Sequence, residues 1–302
     1  MRHWESELIS SPPANSETVP AFDSGWLLPD GGRQAYLPYV QDDHPVGWSA
    51  ELQELHAEST RTHFIDVWTR EAMLKQLGNV AADAVVVDLG CSSGHLLRDL
   101  RAACPTARLI GVDLVAAGLQ AAHALVPEAR LLQADVCKLP LRSGSIDAVL
   151  SANLLEHVPD DTRALAELHR VLRPGAQAVV VVPNGPRLYD YYDRSLGHLR
   201  RYGRGELAGK ARSVGLEVLR DAHLGSLLYP PFWVVKHRNR LRFGNLGDAD
   251  VRRRVARDIA RTIDSRLGRS SCRLERRLLQ AGVRLPFGIR GLTLLRRPED
   301  SE

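Results

Sequence analysis

The chain has 302 residues, 44% hydrophobic and 25% charged, with a formal net charge of +4 at pH 7. That balance excludes a disordered or fibrous chain and suits one large domain, or a core domain with additions. No run reaches the roughly 18–20 apolar residues of a membrane span, and "MRHWESELIS" has acids where a secretion signal needs an apolar centre, so a cytoplasmic protein is expected.

From the start of the chain, residues 1–25 are rich in Ser, Pro and acids without a period and predict a flexible leader with no core residues. "GWLLPDGGRQAYLPYV" (25–40) is too apolar to stay solvated and should pack onto the body; residues 1–48 as a whole form the leader and a candidate lid segment. From Ser49 apolar residues recur at helical spacing until Gly78, predicting one or two helices with a glycine cap. The pattern then changes. "AVVVDLG" (84–90), "ARLIGVD" (107–113), "ARLLQAD" (129–135), "IDAVLSAN" (146–153) and "AQAVVVVPN" (176–184) are short, β-branched and apolar on both faces, as parallel strands buried between helices must be. Helical stripes separate them, so a doubly wound α/β sheet is expected, in a domain over 49–302 with its core at 80–230 and 284–298. "GLEVLRDAHL" (215–224) and "FGIRGLTLLRRP" (287–298) add two strands around a basic helical insertion, 231–280, which holds 14 Lys and Arg against 5 Asp and Glu. Cys91, Cys104, Cys137 and Cys272 lack metal-ligand spacing and form no evident disulfide framework.

In such sheets ligands sit at the carboxyl ends of the strands. There "VVVDLGCSSGHLL" places Asp88 before a glycine turn in which Gly90 and Gly94 let backbone approach a ligand. Asp113 ends the second strand, 23 residues after Gly90, where a carboxylate can accept both hydroxyls of a ribose; Asp135 ends the third. Each aspartate alone also reads as a helix cap, but three in register point to a nucleoside ligand.

These segments, together with "GVDLVAAGLQAA", "QADVCKLPLRSGSIDAVLSANLLEHVPD" and "ELHRVLRPGAQAVVVVPN", resemble the class I S-adenosylmethionine-dependent methyltransferases, in particular the group of small-molecule enzymes that includes the ubiquinone-biosynthesis O-methyltransferases. The resemblance covers about residues 60–230 and the C-terminal strand. It implies a seven-stranded, mostly parallel sheet of order 3-2-1-4-5-7-6 with strand seven antiparallel. It further implies S-adenosyl-L-methionine as cofactor, with Asp88, Gly90 and Gly94 at its methionine part, Asp113 and Leu114 at the ribose, Asp135 and Val136 at the adenine, and Asn153 and Leu154 lining the cleft. Two departures stand out: Ser92 replaces the middle glycine of the loop, and Asn153 replaces the first acid of an E-x-x-E-H stretch associated with a divalent metal, leaving Glu156 and His157. A neutral amide is the weaker oxygen ligand, so no metal is assigned.

Transfer to a small-molecule acceptor, with a hydroxyl favoured by the resemblance and nitrogen or carbon as alternatives, needs a proton acceptor. His157 and His198 are the candidates. Tyr189, Tyr192, Arg201 and Tyr202, in the connection after the fifth strand, are expected to touch the acceptor as part of a lid. A nicotinamide oxidoreductase is opposed by the lack of G-x-G-x-x-G spacing. No specific nucleic acid is expected as a partner, while contact of 231–280 with a membrane or other anionic surface is an alternative role for its charge.

Overall fold

Every side chain of Val85–Leu89 (β4) is buried in the computed structural model, which describes residues 4–13, 16–28, 31–40, 60–243, 265–283 and 285–300. Val85, Val87 and Leu89 face one apolar cluster and Val86 the other, so this strand is covered on both sides. That is why it reads as an unbroken apolar run instead of an alternating one. Four more strands run parallel with it: Arg108–Asp113 (β5), Arg130–Gln133 (β6), Ile146–Ala152 (β7) and Leu172–Pro183 (β8). Glu217–Leu224 (β9) and Arg290–Arg296 (β10) complete the far side, with β10 antiparallel to both β8 and β9.

Tyr36–Pro38 (β3) joins the opposite edge, parallel to β6, so the sheet has eight strands in the order β3-β6-β5-β4-β7-β8-β10-β9. The expected order is present, extended by this one strand. The apolar stretch at 25–40 docks as expected: Trp26 is fully buried and its indole N–H donates to the Leu131 carbonyl at 3.1 Å. Two short strands, Trp26–Leu27 (β1) and Arg33–Gln34 (β2), form the hairpin that leads into β3.

The expectation of a leader without core residues is corrected. Glu5–Leu8 (α1) is helical, Leu8 and Ile9 belong to the main apolar cluster, and buried Glu5 pairs with Arg130 at 2.6 Å. The apolar pair supplies the burial that the surrounding Ser, Pro and acids conceal.

Helices cover both faces. On one side lie Asp161–Val171 (α5) and Glu206–Ser213 (α7); on the other lie Phe64–Leu77 (α2), His95–Ala103 (α3) and Ala116–Leu125 (α4). α2 ends at Gly78, whose φ of +67° is the left-handed cap expected there. The part of the predicted helical stretch before residue 60 lies outside the described residues. A short helix, Tyr191–Ser195 (α6), follows β8, and the basic insertion contributes Tyr229–Phe243 (α8) and Arg266–Gln280 (α9). Among the described residues no helix is long and apolar enough to cross a membrane.

Candidate active site

The parallel strands end at a cavity of about 600 Å³. Asp88, Gly90, Asp113, Leu114, Asp135, Val136, Asn153 and Leu154 all line it. The turn after β4 is shaped by three consecutive departures to positive φ, at Gly90 (+76°), Ser92 (+45°) and Gly94 (+78°). Gly90 must lack a side chain, because a Cβ there would stand 3.0 Å from Leu154 across the cavity wall. Gly94 is not at the cavity. It caps α3 and abuts α4, where a Cβ would meet Ala122 at 2.9 Å, so its role is helix packing.

Ser92 takes the left-handed backbone that the missing glycine would have supplied, at a typical strain of about 1–2 kcal/mol. Its amide donates to Asp113 Oδ2 at 2.8 Å, and the Val115 amide donates to Oδ1 at 2.9 Å. Asp113 is thereby fixed at the mouth of the turn. Burial raises its carboxyl above the usual range against the pull of those amides. Asp135, exposed, accepts from the Cys137 amide at 2.8 Å. Asn153 also has positive φ, +53°, a conformation that asparagine tolerates better than most residues and that turns the chain out of β7 into the cleft.

Asp88 is 1% exposed, and its Oδ2 has no hydrogen-bond partner. Burial pushes its carboxyl up to about 8, helped by neighbouring Asp113 and opposed by Arg70. An orphaned carboxyl oxygen beside a glycine turn and an aspartate at a ribose-binding position fits the ammonium group of the amino-acid part of S-adenosylmethionine.

The other wall is built by residues that sequence reasoning missed. Asp66, Thr69 and Arg70 from α2 and Arg290 from β10 line the cavity, and Arg290 bonds both Asp66 and, at 2.7 Å, Thr69 Oγ1. Arg70 is held by Asp99 at 2.6 Å. The available signal was a polar stripe at i, i+3 and i+4 in the first half of the helix, where its neighbours Ile65, Val67 and Trp68 are apolar. Arg290 gave none, because β10 is antiparallel and its first residue, not its last, reaches this edge.

His157 lines the cavity, whereas His198 stands behind it, the two rings meeting edge-on with centroids 4.9 Å apart. Nδ1 of His198 is 2.9 Å from Asp193 Oδ1, and its Nε2 is 3.9 Å from Glu156 Oε1. Glu156 is wholly buried with neither carboxylate oxygen hydrogen-bonded. Burial raises its carboxyl, against His198, Arg290 and Arg201. The donor atoms of Glu156, His157 and His198 lie within 4.8 Å of one another, so two imidazoles and a carboxylate have the donor types to hold a divalent ion.

The four residues expected to touch the acceptor do not line the cavity. Tyr202 is 1% exposed and donates to Asp161 Oδ2 at 2.7 Å, while Arg201 bonds Asp193 at 2.7 Å. The Tyr189 hydroxyl donates to the His198 carbonyl at 2.7 Å, and the Tyr192 ring packs under the Lys236 ammonium, 4.9 Å away. Asp190, Asp193 and Asp161 draw these cations and hydroxyls inward, so the segment is a folded support behind the site instead of a lid over it.

Residues 87–180 match a family model described as a methyltransferase domain. The trans-aconitate 2-methyltransferase of Deinococcus radiodurans is 42% identical over 101 residues, 33% of this chain and 38% of that protein. The demethylmenaquinone methyltransferase of Thermus thermophilus is 35% identical over 118 residues, 38% of this chain and 53% of that protein. The matches thus span less than two thirds of these relatives' own lengths. Phosphoethanolamine N-methyltransferase 2 of Haemonchus contortus, solved with S-adenosyl-L-methionine, shares the fold at a TM-score of 0.58 and 14% identity, over 86% of this chain and 61% of that one. With the glycine turn, the strand-end aspartates and the strand order, these similarities support a methyltransferase of the class I S-adenosylmethionine-dependent type, the direct match being to a methyltransferase domain over residues 87–180.

Proposed function

We propose that the protein transfers the methyl group of S-adenosylmethionine to a small-molecule acceptor, with a hydroxyl as the acceptor group. The observation that carries the proposal is one cavity lined by two unlike groups of residues: Asp88, the glycine turn, Asp113 and Asp135 at the strand ends, and His157, Asp66, Thr69 and Arg290 beside them. When bound, the cofactor supplies an electrophilic methyl on a sulfonium. The chain's own groups do the rest. Asp88 would meet the ammonium of the ligand's amino-acid end, Asp113 would hold the ribose hydroxyls and Asp135 with Val136 would border the base. The Arg290–Asp66–Thr69 group would orient the acceptor for in-line attack, and His157 would accept the acceptor's proton as the oxygen–carbon bond forms and the methyl–sulfur bond breaks, its electron pair staying on sulfur as a neutral thioether. His198, oriented by Asp193, acts through His157 as a positioning residue.

Named relatives act on a quinone precursor and on aconitate, which supports a small acceptor and leaves nitrogen and carbon acceptors as the second reading. Mass spectrometry of methyl-labelled product from a panel of hydroxyl, amine and carbon acceptors tests the choice. Calorimetric binding of S-adenosylhomocysteine but not NAD is expected, and the reverse preference would overturn the proposal. His157→Ala should lower kcat by about 100-fold with cofactor affinity unchanged, the size expected for a lost general base. An equal loss of cofactor binding would remove His157 from that role. Glu156, His157 and His198 would be the residues to hold a divalent ion. Turnover surviving chelation is expected; loss restored by added metal would reassign these three side chains.

A further inference from the structure

Helices α8 and α9 are amphipathic in reverse. The inner face of α8 carries Lys236 and Asn239, 3% and 6% exposed. Lys236 Nζ lies 2.6 Å from Asp190 Oδ1 and 3.2 Å from Asp193 Oδ2, and Asn239 Nδ2 lies 3.4 Å from Asp190 Oδ2. Its outer face shows Trp233, Val234, Val235 and Leu241, exposed by 43%, 58%, 44% and 75%. α9 repeats the inversion. Glu275 is wholly buried and accepts from the Leu227 amide at 3.0 Å, whereas Leu267 and Leu274 are 82% and 52% exposed. Of the eleven large apolar side chains exposed among the described residues, eight lie between 233 and 287, on segments that the Tyr229–Phe287 ring contact at 5.3 Å and the Leu227–Glu275 hydrogen bond tie together, so they are concentrated in one region and are not the scattered leucines of any surface.

Exposed arginines interleave this apolar face: Arg238 and Arg240 on α8, and Arg266, Arg273 and Arg277 on α9. We propose that the outward face of α8 and α9 docks on an anionic lipid bilayer. The apolar side chains enter the headgroup boundary while the guanidinium groups meet lipid phosphates. A second copy of the chain is the poorer occupant, since a two-fold contact would set two copies of the same arginine-rich face together, and the one acid among the described residues of α8 and α9, Glu275, is buried. RNA is poorer too, because six of the eight exposed apolar residues are aliphatic, and only Trp233 and Phe287 could stack on a base. The surface adjoins the catalytic domain directly: α9 packs on α2, where Arg276 pairs with Glu71, and α2 supplies Asp66, Thr69 and Arg70 to the cavity.

The test is flotation of the full chain with phosphatidylcholine vesicles, with and without phosphatidylglycerol. Binding to the anionic vesicles is expected to be about tenfold or more tighter and to weaken with salt. Trp233→Ser with Leu274→Ser should lower that binding about tenfold while circular dichroism and S-adenosylhomocysteine affinity stay at wild-type levels. Replacing Arg266, Arg273 and Arg277 with Gln should abolish the preference for anionic lipid. Equal recovery with both vesicles, unchanged binding by the serine variant, displacement of vesicles by an RNA oligonucleotide, or a dimer in light scattering that the serine variant dissolves would each overturn the proposal. None of these readouts depends on methyl transfer, so failure here is separate from failure of the enzymatic reading.

Discussion

Asp88 is a carboxyl that the fold holds away from water, and its consequence shows in pH dependence. Its value of about 8 exceeds the ordinary 3.8, so between those limits the native chain keeps a proton that the unfolded chain releases. Stability should therefore fall as pH rises through that window. Asp88→Asn, which mimics the protonated group, should remove this contribution to the slope in urea titrations at successive pH values and weaken cofactor binding at least about tenfold, as expected for a lost charged partner. At Ser92 the prediction has the other sign. Ser92→Gly relieves a left-handed strain at some cost in unfolded-state entropy, so stabilisation of up to about 1 kcal/mol is expected, with the amide bond to Asp113 intact. Destabilisation in the same titration would mean that the hydroxyl itself holds the turn. Residues at strand ends were legible because sheet geometry sends them to one edge: of the nine cofactor positions expected, only Gly94 lies off the cavity. Asp66 and Arg290 were not, since their position depends on how a helix and an antiparallel strand cross the cavity mouth.

At the scale of elements, the connection from 184 to 207 shows why a chemically suggestive segment can be structural. Tyrosines and arginines after the fifth strand resemble an acceptor surface, yet Asp161 takes Tyr202, Asp193 takes Arg201, the His198 carbonyl takes Tyr189 and Lys236 covers Tyr192. Nothing in residue type alone distinguishes a Tyr202 that donates to a substrate from one that donates to Asp161, because the partner lies 41 residues away in sequence. Tyr202→Phe should cost about 1–3 kcal/mol, the range for a hydrogen bond to a buried carboxylate, while leaving kcat/KM within about twofold. A large activity loss at full stability would return Tyr202 to the site. Burial would raise the carboxyl of Asp161, but hydrogen bonds from Lys210 and Tyr202, with Arg200 nearby, hold it below the usual range. Its folded value is thus depressed. The stability it contributes is present above the unfolded value of 3.8 and is lost as pH falls through the lower folded one. Asp161→Asn should flatten acid unfolding in that range.

The whole molecule is held together by contacts from its N-terminal segment that composition concealed. Strand order followed from the alternation of buried strands and helices, but the docking of α1 rests on two adjacent apolar residues among polar ones, a signal too short to carry a period. Burial of Leu8 and Ile9 is worth about 1.5–3 kcal/mol each, so deleting residues 1–10 should lower stability by about 3 kcal/mol or more, read as a drop in Tm. An unchanged Tm would show that α1 is dispensable. The short strand β3 has a different consequence. The Tyr39 amide donates to the Gln133 carbonyl at 2.8 Å, so on the alternating backbone the neighbouring Pro38 turns its nitrogen away from the sheet. A strand arriving from another molecule meets a three-residue ledge whose last residue offers no donor. At the opposite margin β9 presents Glu217, Arg220 and Asp221. Both margins of the sheet are therefore guarded against edge-to-edge polymerisation, one by a missing hydrogen and the other by charge.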